Sequence, residues 1–152
     1  MTVDSGLVLP EDSQACAFCD YLAGRRPFTI VARGTRVAIL VTREQRGIAH
    51  LLVVPLKHRP TILDLADDEL GAMMWSVREA ARAIVAAESP PGISVWQNNG
   101  LAANQAIPHV HFHVAGTLPQ GGTERGEVPE VSLRETNLIA QRLRRAAPLD
   151  LK

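Results

Sequence analysis

At 152 residues the chain has the length of one domain with a real buried core. Sixteen basic residues balance sixteen acidic ones, so no global field draws it toward nucleic acid or a membrane surface. Hydrophobic content is 46%, no basic N-terminal region leads into an apolar run, and no segment nears the roughly 18 apolar residues of a membrane span; the expectation is a cytoplasmic globule.

In chain order, residues 1–14 have no periodicity and carry Pro10, Asp12 and Ser13, which reads as a loose arm. Cys16 and Cys19, the only cysteines, stand three apart, a spacing that suits a metal or redox pair better than a structural staple. Cys16 to Gly24 is predicted to make one or two helical turns, with Phe18, Tyr21 and Leu22 toward the body and Gly24 ending the helix. Thr29-Ile-Val31 and Val37 to Val41 are β-rich runs around Arg33-Gly-Thr35, a predicted hairpin. Leu51 to Val54 is continuously apolar, as for a central strand covered on both faces; Pro55 ends it before the Lys57-His58-Arg59-Pro60 loop.

Asp67 to Glu88 carries the strongest helical period: Leu70, Met73, Met74, Val77, Ala80, Ala81, Ile84 and Val85 recur at threes and fours. Asp67, Asp68 and Glu69 sit where the helix dipole is positive, and Ser89-Pro90-Pro91-Gly92 stops the helix. Ile93 to Gln97 reads as a strand, Asn98-Asn99-Gly100 as a turn, and 101–107 as a small-residue loop. Thr117 to Pro129 is Gly- and Pro-rich and is expected to be mobile. Ser132-Leu-Arg-Glu135 reads as a capping box for a final helix ending near Arg145. Five strands, one strong helix between them and another at the end argue for an α+β fold with a mostly antiparallel sheet.

The chemistry concentrates in His109-Val-His111-Phe-His113-Val-Ala115. Alternate strand residues share a face, so the three imidazoles form a row while Val110, Phe112 and Val114 pack on the other side. The whole chain has five histidines, and three within five positions are hard to ascribe to composition. Imidazole switches charge near neutral pH, so such a row suits metal ligation, proton transfer or nucleophilic attack. Gln97-Asn98-Asn99-Gly100 and Gln105 come just before it. Their amides offer neutral donors that could hold phosphate oxygens without a fixed cation. Asn99-Gly100 is as well explained by a turn alone; Asn98 and Gln105 gain weight from bracketing the histidines.

Asn98-x-Gly100, Gln105, Ile107 and His109-Val-His111-Phe-His113-Val resemble the histidine triad (HIT) family of nucleotide hydrolases and transferases. Upstream, Cys16-Ala-Phe-Cys19-Asp-Tyr-Leu-Ala-Gly24 is similar to that family's opening helix, and His50-Leu-Leu-Val-Val-Pro55-Leu-Lys-His58 to its central strand and loop. The resemblance spans about residues 16–115 and implies a HIT-like domain over 15–118, then a flexible loop and helix over 119–152.

What the resemblance implies is that neutral His111 attacks the α-phosphorus of a nucleotide, adenine being the default base. The product is a nucleotidyl-imidazole, which water releases as the nucleoside monophosphate. A strand neighbour's carbonyl would fix the His111 tautomer, and His113, Asn98 and Gln105 would bind the α-phosphate oxygens. Cys16, Cys19, His58 and His109 would form a Cys₂His₂ set, the composition of structural zinc, as in zinc-bearing branches of the family; His50 is the fallback third ligand. The resemblance also implies a two-fold homodimer built on the 67–88 helix and the 93–97 strand, since Met73, Met74, Trp75, Val77, Ile84 and Val85 cover more than one helix face. Three positions depart from the family pattern. Thr42 stands where an acid usually holds the ribose, Asn104 replaces a glycine, and Ala106 replaces a hydroxyl residue. The alternatives are a nucleotidyltransferase (phosphorylase) with the same intermediate, a nucleotide-binding module with little turnover, and a metalloenzyme using all three strand histidines. The last is disfavoured because the cysteine pair claims a metal without them.

Overall fold

A computed structural model of the chain describes residues 4–11 and 16–151. Five antiparallel strands form one sheet in the order β1-β2-β3-β5-β4. They are β1 (Ile30–Arg33), β2 (Val37–Val41), β3 (Ile48–Pro55), β4 (Ile93–Trp96) and β5 (Phe112–Gly116). Three helices accompany them: α1 (Ala17–Ala23), α2 (Asp67–Glu88) and α3 (Leu133–Ala146). The α+β architecture is the expected one.

Strand alternation divides the core in two. Val37, Ile39, Val41, Leu51 and Val53 pack against Met73, Val77, Ala80 and Ile84 of α2. The intervening Ala38, Leu40, Leu52 and Val54 pack against Phe18 and Leu22 of α1. This explains the unbroken apolar run in β3, since both of its faces are covered. Each large aliphatic side chain removed from water there contributes about 1.5–3 kcal/mol. α1 ends at Gly24, whose φ of 74° is the left-handed cap that the sequence signalled.

α3 begins at Ser132, whose hydroxyl accepts the Glu135 N–H at 3.1 Å. It buries Thr136, Ala140 and Leu143. Arg144 donates to the Val31 and Ile30 carbonyls at 3.0 and 2.7 Å, so the helix occupies backbone acceptors of β1, an edge strand. The apolar surplus expected on α2 is smaller than the sequence suggests. Met73, Val77 and Ile84 are in the chain's own core, and the Trp75 indole donates to the Asp150 carbonyl at 3.0 Å. Leu70, Met74 and Val85 stay exposed.

The Gly- and Pro-rich stretch Thr117 to Pro129 and the two residues after it run along the β2–β3 turn. The Glu124 N–H bonds the Arg46 carbonyl at 2.7 Å, and the Val131 N–H bonds the Arg43 carbonyl at 2.8 Å. The Arg43 and Arg46 side chains return bonds to the Val131 and Gly126 carbonyls. Gly47 permits a close approach nearby, since a Cβ there would lie 2.4 Å from the Gly116 carbonyl.

The regular ladder of β5 starts at Phe112, three residues later than the histidine alternation suggests. Upstream, the Val110 N–H bonds the Arg59 carbonyl at 2.7 Å, so this stretch pairs with the loop after β3. The side-chain alternation survives. Val110 enters the α2 side of the core, while His109 and His111 both lie against Phe18. Of the predicted arm, residues 1–3 and 12–14 lie outside the described residues; the Val8 carbonyl accepts the Leu101 N–H at 2.8 Å. Among the described residues no helix is long and apolar enough to cross a membrane.

Candidate active site and metal centre

The five histidines form two groups on the α1 side of the sheet. In the first, the start of α1 brings Cys16 and Cys19 to His58, from the loop after β3, and to His109. The Cys16 Sγ lies 3.4 Å from His109 Nδ1, and the Cys19 Sγ lies 3.5 Å from His58 Nδ1 and 3.6 Å from His109 Nδ1. All four ligand atoms fall within 4.8 Å of one another. A tetrahedral zinc with sulfur at about 2.3 Å and nitrogen at about 2.05 Å requires S···N edges near 3.5–3.6 Å, so the spacing fits that ion. The tautomer fits as well. The His109 Nε2 bonds the Pro55 carbonyl at 2.9 Å, which places the proton there and leaves Nδ1 with a lone pair toward the sulfurs. Burial holds the His109 pKa down to about 4, the Pro55 carbonyl partly offsetting it.

Two alternatives to this set are not the arrangement seen. His50, the fallback ligand, is not part of this group. A row of three strand histidines around one metal is also absent among the described residues, because His109 turns to the cysteines while His111 and His113 do not.

The second group comprises His50, His111 and His113. The His111 Nδ1 bonds the His109 carbonyl at 2.8 Å. A carbonyl can only accept, so Nδ1 carries the proton and Nε2 keeps its lone pair. Burial disfavours the imidazolium and pushes the His111 pKa below its ordinary value, the His109 carbonyl opposing. His113 is held by a chain of bonds. The Arg46 N–H donates to His50 Nδ1 at 3.1 Å, so His50 is protonated on Nε2, which lies 3.0 Å from His113 Nδ1. His113 is therefore protonated on Nε2, its outward donor. Trp96 lies parallel on the His113 ring, centroids 4.7 Å apart. Burial, with the neighbouring His111 and His50, lowers the His113 pKa to about 2, and burial lowers that of His50 to about 4. All three rings are neutral at pH 7.

Sequence reasoning missed the part His50 plays. Ala49 has a positive φ of 53°, and between Ile48 and Leu51 the pairing with β5 slips by one residue, a bulge. The bulge leaves His50 on the face of Leu52, beside His113. Period-two counting back from Leu52 was the available signal.

These rings line a cavity of about 1110 Å³, as do Asn98, Gln105 and Thr42. Asn98's side-chain amide bonds to none of the described residues. Gln105 differs from expectation. Its Nε2 donates to the Pro60 and Ile107 carbonyls at 2.7 and 2.9 Å, and its Oε1 accepts the Gly100 N–H at 2.7 Å. Both amide hydrogens are therefore engaged in holding the loop before the histidines. Thr42 is buried, and its hydroxyl accepts the Glu44 N–H at 3.1 Å. Asn104 has a φ of 64°, a left-handed conformation that glycine adopts freely and asparagine tolerates, which accounts for the replacement there.

A model of the HIT domain matches residues 24–119. The chain belongs to the HIT family. A HIT-like protein of Methanocaldococcus jannaschii is 31% identical over 79% of this chain and 94% of that one. An adenosine 5′-monophosphoramidase of Schizosaccharomyces pombe is 29% identical over 74% of this chain and 79% of its own length. Among solved structures, a HIT-like protein from Bartonella henselae superposes with a TM-score of 0.82 at 23% identity, covering 90% of this chain and 98% of that one. A zinc-bound histidine triad protein from Mycobacterium smegmatis superposes at 0.73 with 21% identity, covering 88% and 96%. At those identities the structures share the HIT fold with this chain.

Proposed function

We propose that this HIT domain is a nucleotide hydrolase that cleaves a phosphoanhydride or phosphoramidate bond at the α-phosphorus. The observation that carries this reading is His111: a neutral imidazole, its Nδ1 proton held by the His109 carbonyl, with a free Nε2 lone pair inside a cavity sized for a nucleotide. In the first step Nε2 bonds the α-phosphorus while the bond to the leaving group breaks and its electron pair departs. In the second, water attacks phosphorus, the P–N bond returns its pair to Nε2, and a water proton passes to solvent. His113, with Nε2–H outward, and the unpartnered Asn98 amide stabilise the phosphate oxygens as charge develops. Gln105 holds the loop that places Asn98. Ala106 has no hydroxyl, so the proton for a poor leaving group comes from solvent.

Cys16, Cys19, His58 and His109 are the residues that would hold a structural zinc. The ion would tie α1 and the loop after β3 to the stretch that carries His111, without entering the reaction. The named phosphoramidase relative and the zinc-bound relative support both readings. The test is turnover of nucleoside 5′-phosphoramidates, dinucleoside polyphosphates and nucleotide sugars with parallel metal analysis. Release of nucleoside monophosphate from at least one is the expected result, and none from any would overturn the assignment.

A homodimer is part of the same proposal. Exposed Leu70, Met74 and Val85 on α2 and exposed Val95 on the outer strand β4 form the surface that would be shared. Light scattering at micromolar concentration should give twice the 16.5 kDa chain mass.

A further inference from the structure

The cavity has a direction. In order of contact, the Phe28 ring stacks on Tyr21 at 4.0 Å, Tyr21 meets Phe18 at 6.1 Å, and Phe18 meets His111 at 5.0 Å. His111 then meets His113 at 5.0 Å, His113 meets His50, and the Arg46 N–H bonds His50. The Arg46 carbonyl in turn holds Glu124, next to Arg125. The attacking imidazole thus stands between an end built from Phe18, Tyr21 and Phe28 and an end built around Trp96, Arg46 and segment 123–126. A substrate cleaved at its α-phosphorus has a nucleoside on one side of that atom and a leaving group on the other. The Phe28 and Tyr21 end lies beside Thr42, since the Val41 N–H bonds the Thr29 carbonyl at 3.0 Å, and it suits the nucleoside, so the leaving group projects toward Arg46 and Arg125.

That second end lies partly outside the matched family domain, which stops at residue 119, yet Thr123, Glu124, Arg125 and Gly126 line the same cavity. The backbone bonds to Arg46 fix the segment there. The Arg46 guanidinium is turned to the Gly126 and Glu124 carbonyls, and Arg43 is paired with Glu130 at 3.0 Å. Arg125 has no ion-pair or hydrogen-bond partner among the described residues. Glu124, bonded to Arg46 through its backbone, and Glu44, on the turn anchored by Thr42 at the sugar side of the proposed pocket, are carboxylate residues that also line the cavity.

We infer that Arg125, supported by Arg46, is a specificity-determining residue that selects a leaving group carrying its own negative charge, a sulfate or a phosphate. This rests on the hydrolase reading above. Guanidinium bonds to such oxyanions are charge-assisted, and they steady the departing group as it gains charge.

The experiment compares kcat/KM for three substrates of one nucleoside: the 5′-phosphosulfate, the 5′-diphosphate and the uncharged-leaving-group 5′-phosphoramidate. Wild type, Arg125→Gln, Arg125→Lys and Arg142→Gln are assayed; Arg142 pairs with Glu88 on the helical side of the molecule. The ratio of an anionic substrate to the phosphoramidate should fall about tenfold in Arg125→Gln, return in part with lysine, and stay at the wild-type value in Arg142→Gln. A fall for one anionic substrate names that anion, and a fall for both names their shared charge. If the ratio does not move, or moves equally in Arg142→Gln, the inference is overturned while phosphoramidate turnover leaves the hydrolase reading standing. Wild type inactive on all three substrates would instead remove the hydrolase reading, and this inference with it.

Discussion

His109 and His113 stand four positions apart on one stretch of chain and have the same side chain, yet their surroundings give them different chemistry. His109 puts its proton on Nε2 against the Pro55 carbonyl and turns Nδ1 to two sulfurs. His113 also carries its proton on Nε2, but its Nδ1 faces the His50 donor and its outward N–H faces the cavity. His111 between them is protonated on the opposite nitrogen, because its Nδ1 meets a carbonyl. What each ring's Nδ1 meets underlies the proposed roles: sulfurs for His109 as a ligand, a carbonyl for His111 as the nucleophile, and a second imidazole for His113 as a donor.

The comparison breaks most sharply at His111. His111→Ala should keep the fold and lower turnover by several orders of magnitude, about the loss expected for a catalytic nucleophile. Near-wild-type turnover in that variant would transfer the role to another residue.

On the sulfur side, Cys16→Ser should lose bound zinc and thermal stability together. A loss of about 3 kcal/mol would lower Tm by roughly 6–12 °C at this chain length. Metal analysis and thermal unfolding check it; an equally stable metal-free protein would argue that the four residues do not work as a site.

His50 sharpens the other side. His50→Ala should lower kcat about 10- to 100-fold, as for outer partners that fix an imidazole's orientation, with glutamine restoring part through its N–H. His50 also predicts a pH effect on stability. Its folded pKa is about 4 against 6.5 unfolded, so between those values the unfolded chain binds more protons. Stability then rises with pH from about 4 to 6.5 and is level above, and the slope should flatten in His50→Gln.

The smallest effect is expected at Thr42. One uncharged hydroxyl, already accepting the Glu44 N–H, cannot grip both ribose hydroxyls as a carboxylate does. Wild type should discriminate weakly between ribose and 2′-deoxyribose nucleotides of the same base, and Thr42→Asp should raise the preference through kcat/KM. A wild-type preference near 100-fold, about 2.7 kcal/mol, would mean that another residue holds the sugar.

Much of this was legible in sequence because it depends on local pattern. The 67–88 helix, the left-handed stop at Gly24, the Ser132 cap and the side-chain alternation of 109–114 all follow from spacing and residue type within a few positions. The Cys16, Cys19, His58 and His109 set came instead from the family resemblance, since His58 and His109 lie 39 and 90 positions beyond Cys19. What tertiary structure alone decided depends on partners far away in the chain. The sheet pairing brings His50 against a ring 63 positions later, and Gln105 becomes a loop brace because the Pro60 carbonyl lies within reach. Likewise the place of the Gly- and Pro-rich segment after β5 depends on backbone bonds to Arg43 and Arg46, which set Thr123 to Gly126 along the cavity. Side-chain type declares which bonds a residue can make, but only the packed chain determines which groups arrive to make them.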